Sequence, residues 1–157
     1  MLSFIRRAGI VALLLATAVS HSAVAQTKAA AAKPHLTVYK SPTCGCCGKW
    51  VEQMQASGFT ATVTNMEDVS PIKTKHGVSS RLASCHTTLV GGYVIEGHVP
   101  AADIKRLLRE KPAIAGLAAP GMPAGSPGMD VPNSPPYDVV AFDKAGKTHV
   151  YATHTPR

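Results

Sequence analysis

The sequence predicts a single α/β domain built on one central sheet, and three observations lead there. Short β-rich runs alternate with helical periodicity in the order β-α-β-α-β-β-α. Three cysteines, Cys44, Cys46 and Cys47, fall between the first predicted strand and the first predicted helix. The chain has 157 residues, room for one domain with a core adequate for independent stability.

Residues 1–25 are read as a signal peptide, outside the domain. Arg6 and Arg7 form a positive segment, Gly9 to Val19 an apolar run, and Ala23-Val24-Ala25 an A-x-A site, with cleavage expected before Gln26. The apolar run is too short for a comfortable membrane span and no second one follows, so an exported chain without stable membrane insertion is expected. Residues 26–34, rich in Ala and Lys without periodicity, read as a flexible leader, and the domain is placed at 35–154.

His35 to Tyr39 is a β-rich run stopped by Ser41-Pro42. From Cys47 or Gly48 the pattern turns helical: Cys47, Val51 and Met54 share a face with Trp50 beside them, and Gly58 is the stop. Phe59 to Val63 is the second strand. Ser70-Pro71 opens a short helix that ends at Gly77. Thr87 to Val90 and Tyr93 to Ile95 flank Gly91-Gly92 as a hairpin. A helix runs from Pro100 to Pro112, with Ile104, Leu107 and Leu108 on its apolar face.

Residues 113–136 break the pattern, since ten of these 24 residues are Gly or Pro. Pro120-Gly121-Met122 returns as Pro127-Gly128-Met129. Such composition suits a linker, but a loop this long in a small domain often serves function. Two alternating runs in 137–153, around Asp143 to Lys147, predict a terminal hairpin that would tie the loop at both ends.

The formal charge is +7, and loss of Arg6 and Arg7 with the leader lowers it by two. The remaining charge is scattered and aromatics are few, which argues against nucleic-acid binding. No carboxylate pair, Ser/His/Asp arrangement or phosphate loop is present. The chemistry therefore rests on Cys44, Cys46, Cys47 and Cys85. Adjacent cysteines close almost no loop, so two structural disulfides serve the cluster poorly. A strand-to-helix turn instead favours thiolates, as nucleophiles or as ligands of a soft metal.

The order of elements, with CxxC at the end of the first strand, resembles the thioredoxin superfamily. There, the segment entering the third strand lies against the CxxC turn and carries a cis-proline before a Thr. This chain has Cys85-His86-Thr87-Thr88-Leu89 instead. A finer resemblance, over roughly residues 35–154, is to the CopG-type family of exported thioredoxin-like proteins, long labelled a domain of unknown function. It is carried by Cys44-Gly45-Cys46-Cys47, Ser84-Cys85-His86-Thr87-Thr88, Glu96-Gly97-His98-Val99-Pro100, and Gly121-Met122-Pro123 through Gly128-Met129. That resemblance implies a thioredoxin-like fold and periplasmic copper binding at the cysteines, in copper resistance or homeostasis, with periplasmic copper carriers or exporters as partners.

The residues make the same case from ligand chemistry. Thiols, an imidazole and thioethers select Cu(I) over hard cations, and vicinal thiolates bridge metals, which suits a multinuclear site. Zinc is the nearest competitor, but its sites draw paired ligands from two separate knuckles, whereas here three crowd one turn. The expected ligands are Cys44, Cys46, Cys47, Cys85, His86 and Met122. His98 has a capping role or a place behind the ligands; His35, His76, His149 and His154 are surface residues; Trp50 and Met54 are core. The competing class is a thiol–disulfide or copper oxidoreductase with Cys44 as nucleophile and Cys47 as resolving thiol. The order of elements also places Cys85 within side-chain reach of the Cys44 to Cys47 turn.

Overall fold

The computed structural model describes residues 32–156. The signal-peptide reading of 1–25 and most of the leader lie outside the described residues. The described chain forms one mixed α/β domain with a seven-stranded sheet. In chain order its elements are β1 (His35–Lys40), α1 (Gly45–Ala56), β2 (Thr60–Asn65), α2 (Ser70–Lys75), β3 (His86–Val90), β4 (Tyr93–Gly97), α3 (Ala101–Glu110), β5 (Gly116–Ala119), β6 (Tyr137–Phe142) and β7 (Thr148–His154). The strands lie in the order β2-β1-β3-β4-β5-β6-β7. β1 pairs parallel with β2 and β4 with β5, while the other neighbours are antiparallel.

Side-chain alternation along the strands divides the core into two faces. Ile95, Leu117 and Ala119 join Leu36 and Val38 beneath Trp50, Val51 and Met54 of α1 and Ile104 and Leu107 of α3. Their sequence neighbours Val94 and Ala118 face the other way, against Val78, Leu82 and Phe142. Trp50 is fully buried and its indole N–H donates to the Val99 carbonyl at 3.0 Å, so this side chain anchors α1 to the segment after β4.

Three expectations need correction. First, α1 begins at Gly45 rather than Cys47, with Cys44 at its N-cap, so Cys46 and Cys47 lie in the first turn. Gly45 and Gly48 masked this start, because glycine disfavours helix when propensity alone is weighed. Second, α2 opens at Ser70 as expected, with the Asp68 carboxylate accepting the Ser70 N–H at 2.8 Å, but it ends at Lys75, short of the expected Gly77. Third, residues 113–136 are not all loop, because Gly116–Ala119 is β5. Its sequence, GLAA, has no β-branched residue and earns its place by pairing on both sides. A side chain at Gly116 would run into Val94 backbone and the Phe142 ring, so this close pairing demands glycine. The hairpin of β6 and β7 forms as expected and continues the sheet from β5.

Candidate metal centre

Strand register brings the distant segments together. Lys40, the last residue of β1, pairs with His86, the first of β3. The β3–β4 hairpin turns at Gly91-Gly92, both at positive φ, and pairs Thr87 with Glu96. Extended by two residues, the same register sets Cys85 opposite His98. All of this lies where β1 ends and α1 begins, and where the amide N–H groups of the first helical turn are unpaired.

The four cysteine sulfurs, Cys44, Cys46, Cys47 and Cys85, lie within 4.8 Å of one another. Cys44 and Cys47 are joined in a disulfide, while Cys46 and Cys85 are free thiols, both half-buried. Cys46 Sγ stands 3.5 Å from Cys44 Sγ. A second set, Cys47, Cys85, His86 and His98, meets the same 4.8 Å limit. The two sets share Cys47 and Cys85.

Both imidazoles are completely buried. His98 Nε2 lies 2.9 Å from Cys85 Sγ, and its Nδ1 lies 2.7 Å from the Pro127 carbonyl. A carbonyl can only accept, so Nδ1 carries the proton and Nε2 turns a lone pair toward the sulfur. That is the arrangement of a ligating histidine. His86 Nδ1 is 3.5 Å from Cys85 Sγ, and the His86 ring packs on Trp50 and edge-on to His98, with centroids 4.6 and 5.1 Å away. His86 Nε2 is buried without a hydrogen-bond partner. Among the described residues, nothing satisfies this buried nitrogen, which calls for an explanation.

Charge at the centre is set by burial. Desolvation holds His86 well below its ordinary pKa, helped by the nearby His98, Lys73 and Lys40, and desolvation likewise lowers His98 against the opposing Pro127 bond. Both rings are therefore neutral near pH 7 and have lone pairs to give. Burial, with the neighbouring Cys46, pushes the Cys85 thiol up to about 11. The bend that carries Cys85 is fixed by Glu96, a fully buried carboxylate. It accepts from Ser84 N–H at 2.6 Å, Lys73 Nζ at 2.5 Å and Thr87 Oγ1 at 2.7 Å.

The Gly/Pro/Met segment closes over this end of the sheet. Ser84 pairs with Gly121 in an isolated bridge, Gly121 N–H donates to the Ala83 carbonyl, and Ser84 Oγ donates to that of Gly121. Gly128, at φ 82°, sits so close to α1 that a Cβ there would come within 2.6 Å of the Cys46 carbonyl oxygen. The segment is thus a strap, pinned at Gly121, Pro127 and Gly128. Met122 is 54% exposed, next to the Gly121 pin.

Of the residues the sequence singled out, the structure gathers Cys44, Cys46, Cys47, Cys85 and His86, and leaves the Met122 side chain facing solvent. Sequence reasoning gave His98 a capping role or a place behind the ligands, and the structure sets its Nε2 2.9 Å from Cys85 Sγ. The signal was present, because a two-glycine hairpin at Gly91-Gly92 fixes a register in which position 98 faces position 85.

Residues 82–129 match a protein family of unknown function, DUF411. No curated protein matches the chain. Two solved structures do: the copper resistance protein CopG in its form 2 is 40% identical, with a TM-score of 0.74, over 78% of this chain and 99% of that one. Form 1 is also 40% identical, with a TM-score of 0.73, over 80% of this chain and 100% of that one. The family match takes in Cys85, both buried histidines and the strap, and with 40% identity over nearly the whole length of the two solved structures the chain belongs to the CopG-type family.

Proposed function

We propose that the reduced protein is a periplasmic copper-resistance protein that holds Cu(I) in a multinuclear thiolate site. Cys44, Cys46, Cys47 and Cys85 are its ligands, with His86 and His98 as the nitrogen donors and Met122 at the rim. The observation that carries this reading is the convergence of four sulfurs within 4.8 Å beside two neutral imidazoles. Soft sulfur in this number favours Cu(I), and vicinal thiolates can share ions between them. The orphaned His86 Nε2 and the lone pair of His98 fit a metal site better than a closed hydrogen-bonded core. A thioredoxin-like reading of the fold is supported by Cys85, which enters β3 against the CxxC turn as that resemblance implies. Export rests on the A-x-A site of the leader, and copper carriers or exporters would be the partners. The test is an anaerobic Cu(I) titration of the reduced chain from Gln26, against a chromophoric chelator. More than one tightly held Cu(I) per chain is expected; one or none would overturn the multinuclear reading.

One observation favours a second reading, a thiol–disulfide or copper oxidoreductase: the disulfide between Cys44 and Cys47. On this reading the two thiols give one electron to each of two Cu(II) ions. The disulfide forms, two protons leave, and two Cu(I) remain beside Cys46, Cys85 and the histidines.

A further inference from the structure

The Cys44–Cys47 disulfide occupies one sulfur of the buried donor set Cys47, Cys85, His86 and His98, whose other three members are available. The thiol able to release it stands next to it: Cys46 Sγ is 3.5 Å from Cys44 Sγ. We propose that the centre contains an internal disulfide exchange, in which Cys46 takes the place of Cys47 and the freed Cys47 completes a Cys₂His₂ site for a single divalent ion. This inference rests on the reading of the cluster as a metal centre and adds a way for the oxidised protein to bind metal without a reductant.

The step balances within the chain. Cys46 thiolate attacks Cys44 Sγ, a Cys44–Cys46 bond forms, and the Cys44–Cys47 bond breaks. Cys47 leaves as a thiolate, and two protons go to solvent when the ion binds: the one that Cys46 gave up and the one that the Cys85 thiol carries. No electron enters or leaves, so the protein still contains one disulfide and two cysteines outside it.

Three features make the exchange feasible. Apart from its chain neighbours and its own helix backbone, no described atom lies within 4 Å of where a Cβ on Gly45 would stand, so no other segment packs against the residue between the new partners. Cys47 lies in the first turn of α1, where the helix N-terminus favours a thiolate leaving group. The product set also changes character. Before exchange, the available sulfurs are the half-buried Cys46 and Cys85; after it, the fully buried Cys47 joins Cys85 between two buried imidazoles. Two thiolates and two neutral imidazoles form a donor set suited to zinc, and cobalt reports on it.

The experiment uses the oxidised chain from Gln26, free of reductant, with Co(II) as a redox-quiet probe under nitrogen. After acid quench, free thiols are alkylated at mildly acid pH, the disulfide is reduced and labelled with a second reagent, and fragment masses distinguish Cys46 from Cys47. Without Co(II), the first label is expected on Cys46 and Cys85. With Co(II), it is expected on Cys47 and Cys85, together with a thiolate-to-cobalt charge-transfer band at one ion per chain. Cys46→Ser separates the causes. Oxidised Cys46→Ser should bind Co(II) at least tenfold more weakly than oxidised wild type, and reduced Cys46→Ser should regain one Co(II) per chain. If the label stays on Cys46 in the Co(II)-treated wild type while the reduced proteins bind Co(II), the exchange is overturned and the metal centre stands. If reduced Cys46→Ser binds no Co(II) either, the buried set is not a site, and the inference falls together with the ligand roles of the two histidines.

Discussion

His98 Nε2 stands 2.9 Å from Cys85 Sγ while the opposite nitrogen of the ring is held by the Pro127 carbonyl at 2.7 Å. One histidine thus links the cysteine centre to the strap, and its tautomer is fixed by a backbone atom 29 residues away in sequence. His98→Ala should therefore lower Cu(I) affinity by about 10- to 100-fold, as expected when a ligand or the group that orients it is lost. Chelator competition on the reduced protein measures this. A His98→Ala protein that folds and keeps wild-type affinity would remove His98 from the centre.

Proton release follows from the buried thiol. With its pKa pushed up to about 11, Cys85 carries a proton at pH 7, and a metal must displace it. Below that pKa, each displaced proton makes apparent affinity rise about tenfold per pH unit, so acid weakens binding and alkali strengthens it. Between pH 6 and pH 8 the Cys85 proton alone accounts for roughly a 100-fold gain. Cys85→Ser should reduce the slope of log affinity against pH by about one. An unchanged slope, measured with a chelator corrected for its own protonation, would place Cys85 outside the bound shell.

The strap can be tested through two glycines. Gly128 and Gly121 both have positive φ, 82° and 70°, but only Gly128 faces neighbours: a Cβ there would meet the Cys46 carbonyl at 2.6 Å and the Trp50 nitrogen at 2.9 Å. Gly121→Ala pays only for backbone conformation, about 1 kcal/mol. Gly128→Ala adds a clash with rigid helix backbone and should cost about 2–3 kcal/mol, or roughly 8 °C in melting temperature for a domain of this size. Equal losses for the two variants in thermal unfolding would show that the strap does not press on α1.

How far the sequence reached depended on whether the structural cause was local. Strand and helix order were legible because apolar periodicity is local, and so was the terminal hairpin around Asp143, whose carboxylate accepts the Ala145 and Lys147 N–H groups. The approach of Cys85 to the Cys44 turn was legible from the order of elements. β5 was hidden, because Gly116–Ala119 has small side chains that say nothing about strand, and only its two neighbours make it one. The role of His98 depends on register and on Pro127, a contact between two segments that no spacing records. Met122 looked like a ligand from residue type alone, and the fold leaves it 54% exposed.

The Glu96–Lys73 pair should respond asymmetrically. Glu96 is fully buried, and Lys73 keeps a partly open path to solvent, with its side chain 14% exposed. Burial raises the Glu96 pKa despite the opposing pull of Lys73, Thr87 and the Ser84 amide. Lys73→Met strands the carboxylate without its counter-charge and should cost about 2–3 kcal/mol at pH 7. Glu96→Gln leaves a lysine that can turn outward, and should cost about 1 kcal/mol. Urea unfolding of both variants ranks them, and a larger loss for Glu96→Gln would contradict this account.

The last prediction separates copper holding from copper reduction. If the Cys44 and Cys47 thiols supply electrons, the reduced wild type mixed anaerobically with excess Cu(II) should yield two Cu(I) per chain from that pair, together with the Cys44–Cys47 disulfide. Cys44→Ser removes one partner of the bond, so rapid formation of that pair of Cu(I) ions should be lost. Cys46→Ser keeps both partners and should still reduce two Cu(II), while holding the resulting Cu(I) less tightly because one sulfur of the cluster is gone. Met122→Leu should change neither yield, since an exposed thioether supplies no electrons here and adds little to a thiolate shell. The readout is Cu(I) captured by a chromophoric chelator within the first minute, paired with a count of remaining thiols. A pure holding protein behaves differently: Cu(I) supplied from outside would bind, but Cu(II) would disappear no faster with the wild type than with Cys44→Ser. The comparison thus turns on Cys44, which both readings place in the site but only one makes an electron donor.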